Sequence, residues 1–181
     1  MLQHPRSVET RTASVDFATR SIATNEFGVG GFWTQALAIY ALEAGHLSPD
    51  DYNQVTTQLV VLNFRHTTIN GSVLIEAARR SEWVNKNPFT SVLNTLGGSQ
   101  LEVGSVVNVA AEFIFLLWRH LILDFQRDAL IMAVLDALTQ QRKRDAVVRA
   151  LEAAIKGRFR LLPLAEVRVR QIITAWRSLR P

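Results

Sequence analysis

Cysteine is absent from the 181 residues. Its absence removes disulfides, zinc ribbons, iron–sulfur ligation and thiol nucleophiles together, and it points to a reducing compartment or to indifference to redox state. Secretion is not expected either. Met1 is followed by Gln3, His4, Pro5, Arg6 and Glu9, where a signal peptide would carry an uncharged apolar stretch. The most apolar segment, Val103 to Leu123, is interrupted by Glu112, Arg119 and His120, and charges near the middle of a spanning helix are costly. That segment reads as a helix enclosed by a soluble core, so no membrane contact is expected and the cytoplasm is the expected compartment. Long apolar–polar alternation and a fixed repeat period of about 30–45 residues are both missing.

What remains is a composition able to fold. Hydrophobic residues make up 48% and charged residues 20%, which lies outside the disordered class and allows a real core. The net charge of +4 identifies no partner, but its distribution is uneven. Residues 142–181 hold eleven basic and three acidic side chains, whereas residues 1–141 hold nine and thirteen.

Apolar periodicity predicts helices along most of the chain. The first has Phe17, Ala18, Ile22 and Ala23 on one face and closes at Phe27-Gly28. A glycine loop, Gly28-Val29-Gly30-Gly31, leads into a second helix from Phe32, with Trp33, Ala36, Leu37, Tyr40, Ala41 and Ala44 inward. The clearest start signal follows: Ser48 as cap, Pro49 at the first helical position, and Asp50 and Asp51 at the positive helix end. Tyr52, Val55, Leu59 and Val60 give that helix its face. A short extended piece, Phe64 to Ile69, precedes a helix opening at Asn70. Pro88 begins a shorter helix that Gly97-Gly98 ends. The long apolar helix, Leu101 to Leu123, should be the most buried. The next, Phe125 to Gln140, turns Leu130, Ile131, Val134, Leu135 and Leu138 inward. Val147, Val148, Leu151, Ala154 and Ile155 face the core from a helix stopped by Gly157. Pro163 introduces the last one, with Val167, Ile172, Ile173 and Trp176 inward.

Few constellations carry chemistry. The glycine loop lacks the Gly-Lys-Ser/Thr ending and the Gly-x-Gly-x-x-Gly spacing of phosphate loops, and a tight turn explains it. His4, His46, His66 and His120 include no pair at i+3 or i+4, so a zinc site would need unrelated loops to converge. Glu112 and His120 could serve as an acid–base pair, but Glu112 paired with Arg119 inside a core is the simpler reading. No Gly-x-Ser-x-Gly marks a serine nucleophile. Asp16 reads as a helix cap; as a metal ligand it would need further carboxylates from elsewhere. The basic end offers Arg142, Lys143, Arg144, Arg149, Arg158 and Arg160 to phosphates, with Phe159 placed to stack a base. The competing reading is a solvated face, or a basic surface that docks onto acidic groups.

The string from Ser14 to Gly45, SVDFATRSIATNEFGVGGFWTQALAIYALEAG, resembles the closing portion of a bacterial group of PIN-like nuclease domains. That group has an acidic residue after a strand, a helix ending in a Phe-Gly-Val turn and a Trp-Thr-Gln-Ala helix start, matched here by Asp16, Phe27-Gly28-Val29 and Trp33-Thr34-Gln35-Ala36. Gly45, Leu47, Ser48, Tyr52, Asn63 and Phe64 occupy the places of its next element. The match is densest over residues 14–80. PIN domains gather three or four carboxylates on a parallel sheet to bind magnesium or manganese and cut RNA. The resemblance assigns one of these, Asp16, to this chain and places the others upstream of Met1.

The expected fold is mostly α, a compact multi-helix domain of eight or nine helices with at most one or two short strands. Residues 1–12 form a flexible arm, and residues 13–181 form a single helical domain with the basic segment 142–181 at its end. The resemblance implies a non-catalytic helical module engaged in protein interaction or weak RNA association, without a cofactor. A partner protein or an upstream domain is expected, with RNA and a second copy as further candidates. The alternative is a magnesium- or manganese-dependent ribonuclease whose missing carboxylates come from an upstream or partner chain. A helical DNA-binding regulator ranks last, because Ser48 to Glu82 offers few cations and a long connection for a helix-turn-helix.

Overall fold

Helix-forming periodicity governs nearly everything in the computed structural model, which describes residues 11–14, 30–64, 67–98 and 101–179. Among these residues there are eight α-helices and two short strands, so the fold is mostly α. The chain divides into two compact units, Met1–Thr67 and Thr68–Pro181. The expected first helix and the cap at Asp16 lie outside the described residues, as do most of the N-terminal arm and residues 28 and 29 of the glycine loop.

In the first unit, β1 (Arg11–Ser14) and β2 (Gly30–Trp33) pair in parallel, with Arg11 opposite Gly30 and Ser14 opposite Trp33. Gly30 and Gly31 therefore belong to a strand, not to a turn, and the helix begins at Thr34 instead of Phe32. A parallel partner is something local sequence cannot announce, because the pairing joins residues far apart in the chain. Helix α1 (Thr34–Glu43) buries Gln35 and Ala38, while Leu37 and Tyr40 are exposed. Its apolar residues surround the whole helix, so periodicity had no basis for choosing the inward face.

Helix α2 (Pro49–Val61) starts as its residues dictate. The Asp51 amide donates to the Ser48 hydroxyl oxygen at 3.1 Å, and Pro49 takes the first helical position. Its buried residues are Thr56, Thr57 and Leu59, so Val55 belongs to the exposed side. The piece expected to be extended after it is no strand in its described part; the Thr67 hydroxyl donates to the Phe64 carbonyl at 3.0 Å, a local turn bond.

The second unit is built around α5 (Val103–Leu117), which packs against α3 (Gly71–Arg80), α6 (Asp124–Thr139) and α7 (Arg144–Arg158). Asn70 caps α3 by accepting from the Val73 amide at 3.0 Å. The same helix start receives a second acceptor from across the core: the Gly71 amide donates to Glu112 of α5 at 2.9 Å. Glu112 thus serves the positive end of α3, and neither His120 nor Arg119 is its recorded partner. A β-carbon on Gly71 would stand 2.7 Å from the Phe113 nitrogen and 2.5 Å from Glu112 Cγ, so the approach of the two helices requires glycine there.

Ser81 is buried after α3, with its hydroxyl accepting from the Phe89 amide at 3.0 Å and donating toward the Ala77 carbonyl at 2.9 Å. This bond fixes the entry to α4 (Phe89–Asn94), which continues into a 3-10 turn, Thr95–Gly97. Leu130, Ile131, Val134, Leu135 and Leu138 of α6 are fully buried as the pattern requires. In α8 (Pro163–Leu179) the inward residues are Ala165, Val169, Ile172, Ile173 and Trp176, whereas Val167 is exposed. Helix α7 runs through Gly157 to Arg158.

The largest departure concerns α5. It ends at Leu117, six residues before the expected end, and Trp118 to Leu123 forms a turn and an extended connection. Nor is it the most enclosed helix for its length: six of the ten residues of α3 are buried, against seven of the fifteen of α5.

Core truncations give the placement a quantitative form. Leu117→Ala should destabilise the protein by about 2–5 kcal/mol. Gly71→Ala should destabilise by about 1–3 kcal/mol through overpacking against α5. Urea unfolding curves in which both variants match the parent would contradict the packing of α3 on α5.

Candidate interaction surface

Phe159 decides the arrangement of one end of the second unit. It is fully buried, with its ring edge-on to Phe115 at 5.3 Å and to Trp118 at 5.6 Å. It is a core residue, so it does not offer the free face that stacking on a base would need. Two connections are thereby held side by side: residues 118–123, between α5 and α6, and residues 159–162, between α7 and α8.

Helices α6 and α8 leave this end together. Arg168 pairs with Asp128 at 2.5 Å, and the Trp176 indole N–H donates to Asp136 at 2.8 Å. Both links join residues forty apart, so the helices run parallel and in step. One turn before the ion pair, Phe125 precedes Asp128 by three residues and Leu164 precedes Arg168 by four, which puts both on the facing sides of their helices. Both are nevertheless open to solvent. On the two connections that lead into these helices Leu121, Leu123, Leu161 and Leu162 are exposed as well, with Leu121 at 107%, Leu161 at 92% and Leu164 at 86% of full exposure. Single exposed leucines are ordinary, but six large apolar side chains exposed on two adjoining connections and the helix starts that follow them mark a candidate contact surface.

The charges at this end do not cancel. Asp124 pairs with Arg127 at 2.6 Å, Asp128 with Arg168, and Glu166 with Arg170 at 2.6 Å. The Lys86 ammonium donates to Glu82 at 2.6 Å, and this bond, with the ammonium charge, holds that carboxyl below the ordinary carboxylate range. Arg119, Arg158 and Arg160 are exposed and take part in no side-chain hydrogen bond or ion pair among the described residues. Matched acids beside unmatched arginines leave a local positive surplus.

The residues nominated for phosphate binding separate into three groups. Arg142 is committed to backbone: its guanidinium donates to the carbonyls of Leu96 (2.7 Å), Leu138 (3.3 Å) and Gly98, closing the ends of the 3-10 turn and of α6. Arg144 lies over the Trp176 ring, 5.4 Å from its centroid. Arg149 reaches back to the Asp145 carbonyl at 3.2 Å. Lys143 is exposed at the start of α7, whereas Arg158 and Arg160 lie at its far end, roughly 20 Å away at 1.5 Å per residue. Between them, Asp145 and Glu152 stand one turn before Arg149 and Lys156, and Glu152 pairs with Arg177 at 3.4 Å. The basic segment is therefore no continuous cationic strip. Asp16 lies outside the described residues.

A polar cleft of about 440 Å³ opens between α4, α6, α8 and the start of α7, lined by Asn94, Asp136, Gln140, Arg144 and Trp176 among others. Its carboxylate holds the indole N–H and its guanidinium covers the indole ring, so both charged groups are engaged by the walls of the cleft. No group of three or more histidine or acidic side chains suited to a metal occurs among the described residues.

Sequence reasoning missed the leucine-rich end because Leu121-Ile122-Leu123 continued an apolar helix pattern and Leu161-Leu162-Pro163-Leu164 looked like a helix start. Two signals could have found it. Arg119-His120 breaks the first run, and Arg158-Phe159-Arg160 directly precedes the second.

Removing Arg142 should be costly where removing its neighbour is not. Arg142→Ala strips donors from three carbonyls and should destabilise by about 1.5–3 kcal/mol, the scale of a charge-assisted hydrogen bond. Lys143→Ala should stay within about 0.5 kcal/mol of the parent. Equal responses in urea unfolding would contradict the structural role of Arg142. Comparison with protein-family models, with curated proteins and with solved structures returns no match to this chain.

Proposed function

We propose that the chain is a non-catalytic helical module of a PIN-like system in the bacterial cytoplasm, working through contact and associating only weakly with RNA. The observation that supports this reading is the leucine-rich end of the second unit, with Phe125, Leu121, Leu161 and Leu164 in the open beside unmatched arginines. A folded chain that leaves such a surface uncovered gains a use for it only when a partner covers it. No helix among the described residues is long and apolar enough to cross a membrane.

The ribonuclease alternative has one observation of its own. Strand β1 pairs in parallel with β2, and Asp16 follows the end of β1 by two residues, which is the order that the PIN-like resemblance requires of an acidic residue after a strand. Parallel strands favour ligands at their carboxyl ends. A metal site for phosphoryl transfer would still need carboxylates supplied by another chain.

Purified with magnesium or manganese, the chain should leave single-stranded RNA uncut. Metal-dependent cleavage that disappears in Asp16→Ala would overturn the non-catalytic reading. Fluorescence anisotropy with single-stranded RNA should give micromolar or weaker binding, with a log–log salt slope of about −0.7 per phosphate contact. The slope should shrink when Arg158 and Arg160 are changed to Ala. Those two are the informative pair, because changing Arg142, Lys143 and Arg144 together would also remove the carbonyl contacts of Arg142.

A further inference from the structure

Leu121, Leu161 and Leu164 at this end of the second unit are almost fully exposed, where the walls of a protein-binding groove would be partly buried. Leu121 and Leu161 sit on connections between helices and are as exposed as residues of an extended chain, at 107% and 92%. A groove that accepts an amphipathic helix half-buries its own apolar walls before the helix arrives. Side chains that stand clear of the surface fit a medium able to close around each one separately. The charges narrow the choice further. Arg119, Arg158 and Arg160 are exposed and unmatched on or beside the two connections that carry the leucines, whereas the neighbouring Asp124 and Asp128 are already paired with Arg127 and Arg168. A second copy meeting this end face to face would bring like charges together, since a two-fold contact pairs the same patch with itself. A surface with an apolar interior and anionic groups at its boundary satisfies both features at once.

We infer that this end docks peripherally on a bilayer surface bearing anionic headgroups, with Leu121, Leu161, Leu164 and Phe125 entering the interfacial zone and Arg119, Arg158 and Arg160 meeting the lipid phosphates. The inference rests on the reading of this end as the contact face and names its occupant. The length argument that excludes a spanning helix does not bear on it, because an interfacial contact needs apolar tips and cations, not a long apolar helix. Phe159 keeps the two connections together, with its own ring inside. Arg127, held over the Trp118 ring at 4.9 Å, supports the first connection from below.

The test uses the full chain and sedimentation with vesicles of phosphatidylcholine alone or with about one-third phosphatidylglycerol. The chain should pellet with the anionic vesicles and stay in solution with the neutral ones. Two double variants, Leu161→Asp with Leu164→Asp and Arg158→Glu with Arg160→Glu, should each weaken the partition by about tenfold or more. Both should melt within a few degrees of the parent, because all four side chains are exposed. Failure of the parent chain to pellet with anionic vesicles would overturn the proposal, as would pelleting that both variants retain. Binding lost in the arginine variant but kept in the leucine variant would also overturn it, since purely electrostatic adsorption to a charged surface needs the cations and not the leucines. The parent is also run in sedimentation velocity over a range of concentrations. Self-association abolished by Leu161→Asp with Leu164→Asp, without vesicle binding, would replace the lipid by a second copy and leave the contact-face reading standing. Neither vesicle binding nor self-association at this end would remove the reading together with the proposal.

Discussion

Phe159 sits between Trp118 and Phe115, and the leucine-rich end depends on that contact. The ring closes the core where α5 and α7 finish, and it ties together the two connections from which α6 and α8 depart. Edge-on aromatic pairs at 5–6 Å are favourable beyond the area they bury. With Phe159 inward, Arg158, Arg160 and Leu161 must point elsewhere, and all three are exposed. One buried ring therefore determines which residues of Arg158-Phe159-Arg160-Leu161 are structure and which are surface. The parallel pairing of α6 with α8, fixed by Asp128–Arg168 and Asp136–Trp176, then brings Phe125 and Leu164 together at the same end.

The rest of the second unit holds this arrangement in place with ordinary polar bonds. Glu112 crosses from α5 to the amide of Gly71, the Ser81 hydroxyl fastens the turn into α4, and Arg142 gathers carbonyls from the ends of two helical segments. Each serves a backbone group that would otherwise lie partly buried without a partner. Residues that look catalytic or phosphate-binding in the sequence, Glu112 and Arg142 above all, are used in this way. A helical protein has many chain ends to satisfy, and long charged side chains satisfy them well.

Most helices were legible because capping chemistry is local. Ser48-Pro49-Asp50-Asp51 and Asn70 each specify a start within four residues, and both starts are observed. The inward face of α6 was legible as well, because Leu130, Ile131, Val134, Leu135 and Leu138 recur at the helical period. Faces were misjudged where the helix is apolar all round, as at Leu37 and Tyr40, or at its end, as at Val167. The end of α5 was missed because Leu121-Ile122-Leu123 keeps the hydropathy of the helix without its geometry. Long-range partnership was the illegible part. Nothing near Arg11 announces Gly30, nothing near Glu112 announces Gly71, and nothing near Phe159 announces Trp118. The candidate surface is made of such partnerships, so Leu121 and Leu123 read as part of a buried helix, and Leu161 and Leu164 carried no signal of their own.

Hydrogen–deuterium exchange of the full chain, with and without vesicles containing phosphatidylglycerol, tests the central claim most directly. The account predicts added protection confined to residues 118–125 and 158–167, which hold the two connections and the first turns of α6 and α8. Protection at residues 142–149 or on α2 in their place would contradict it.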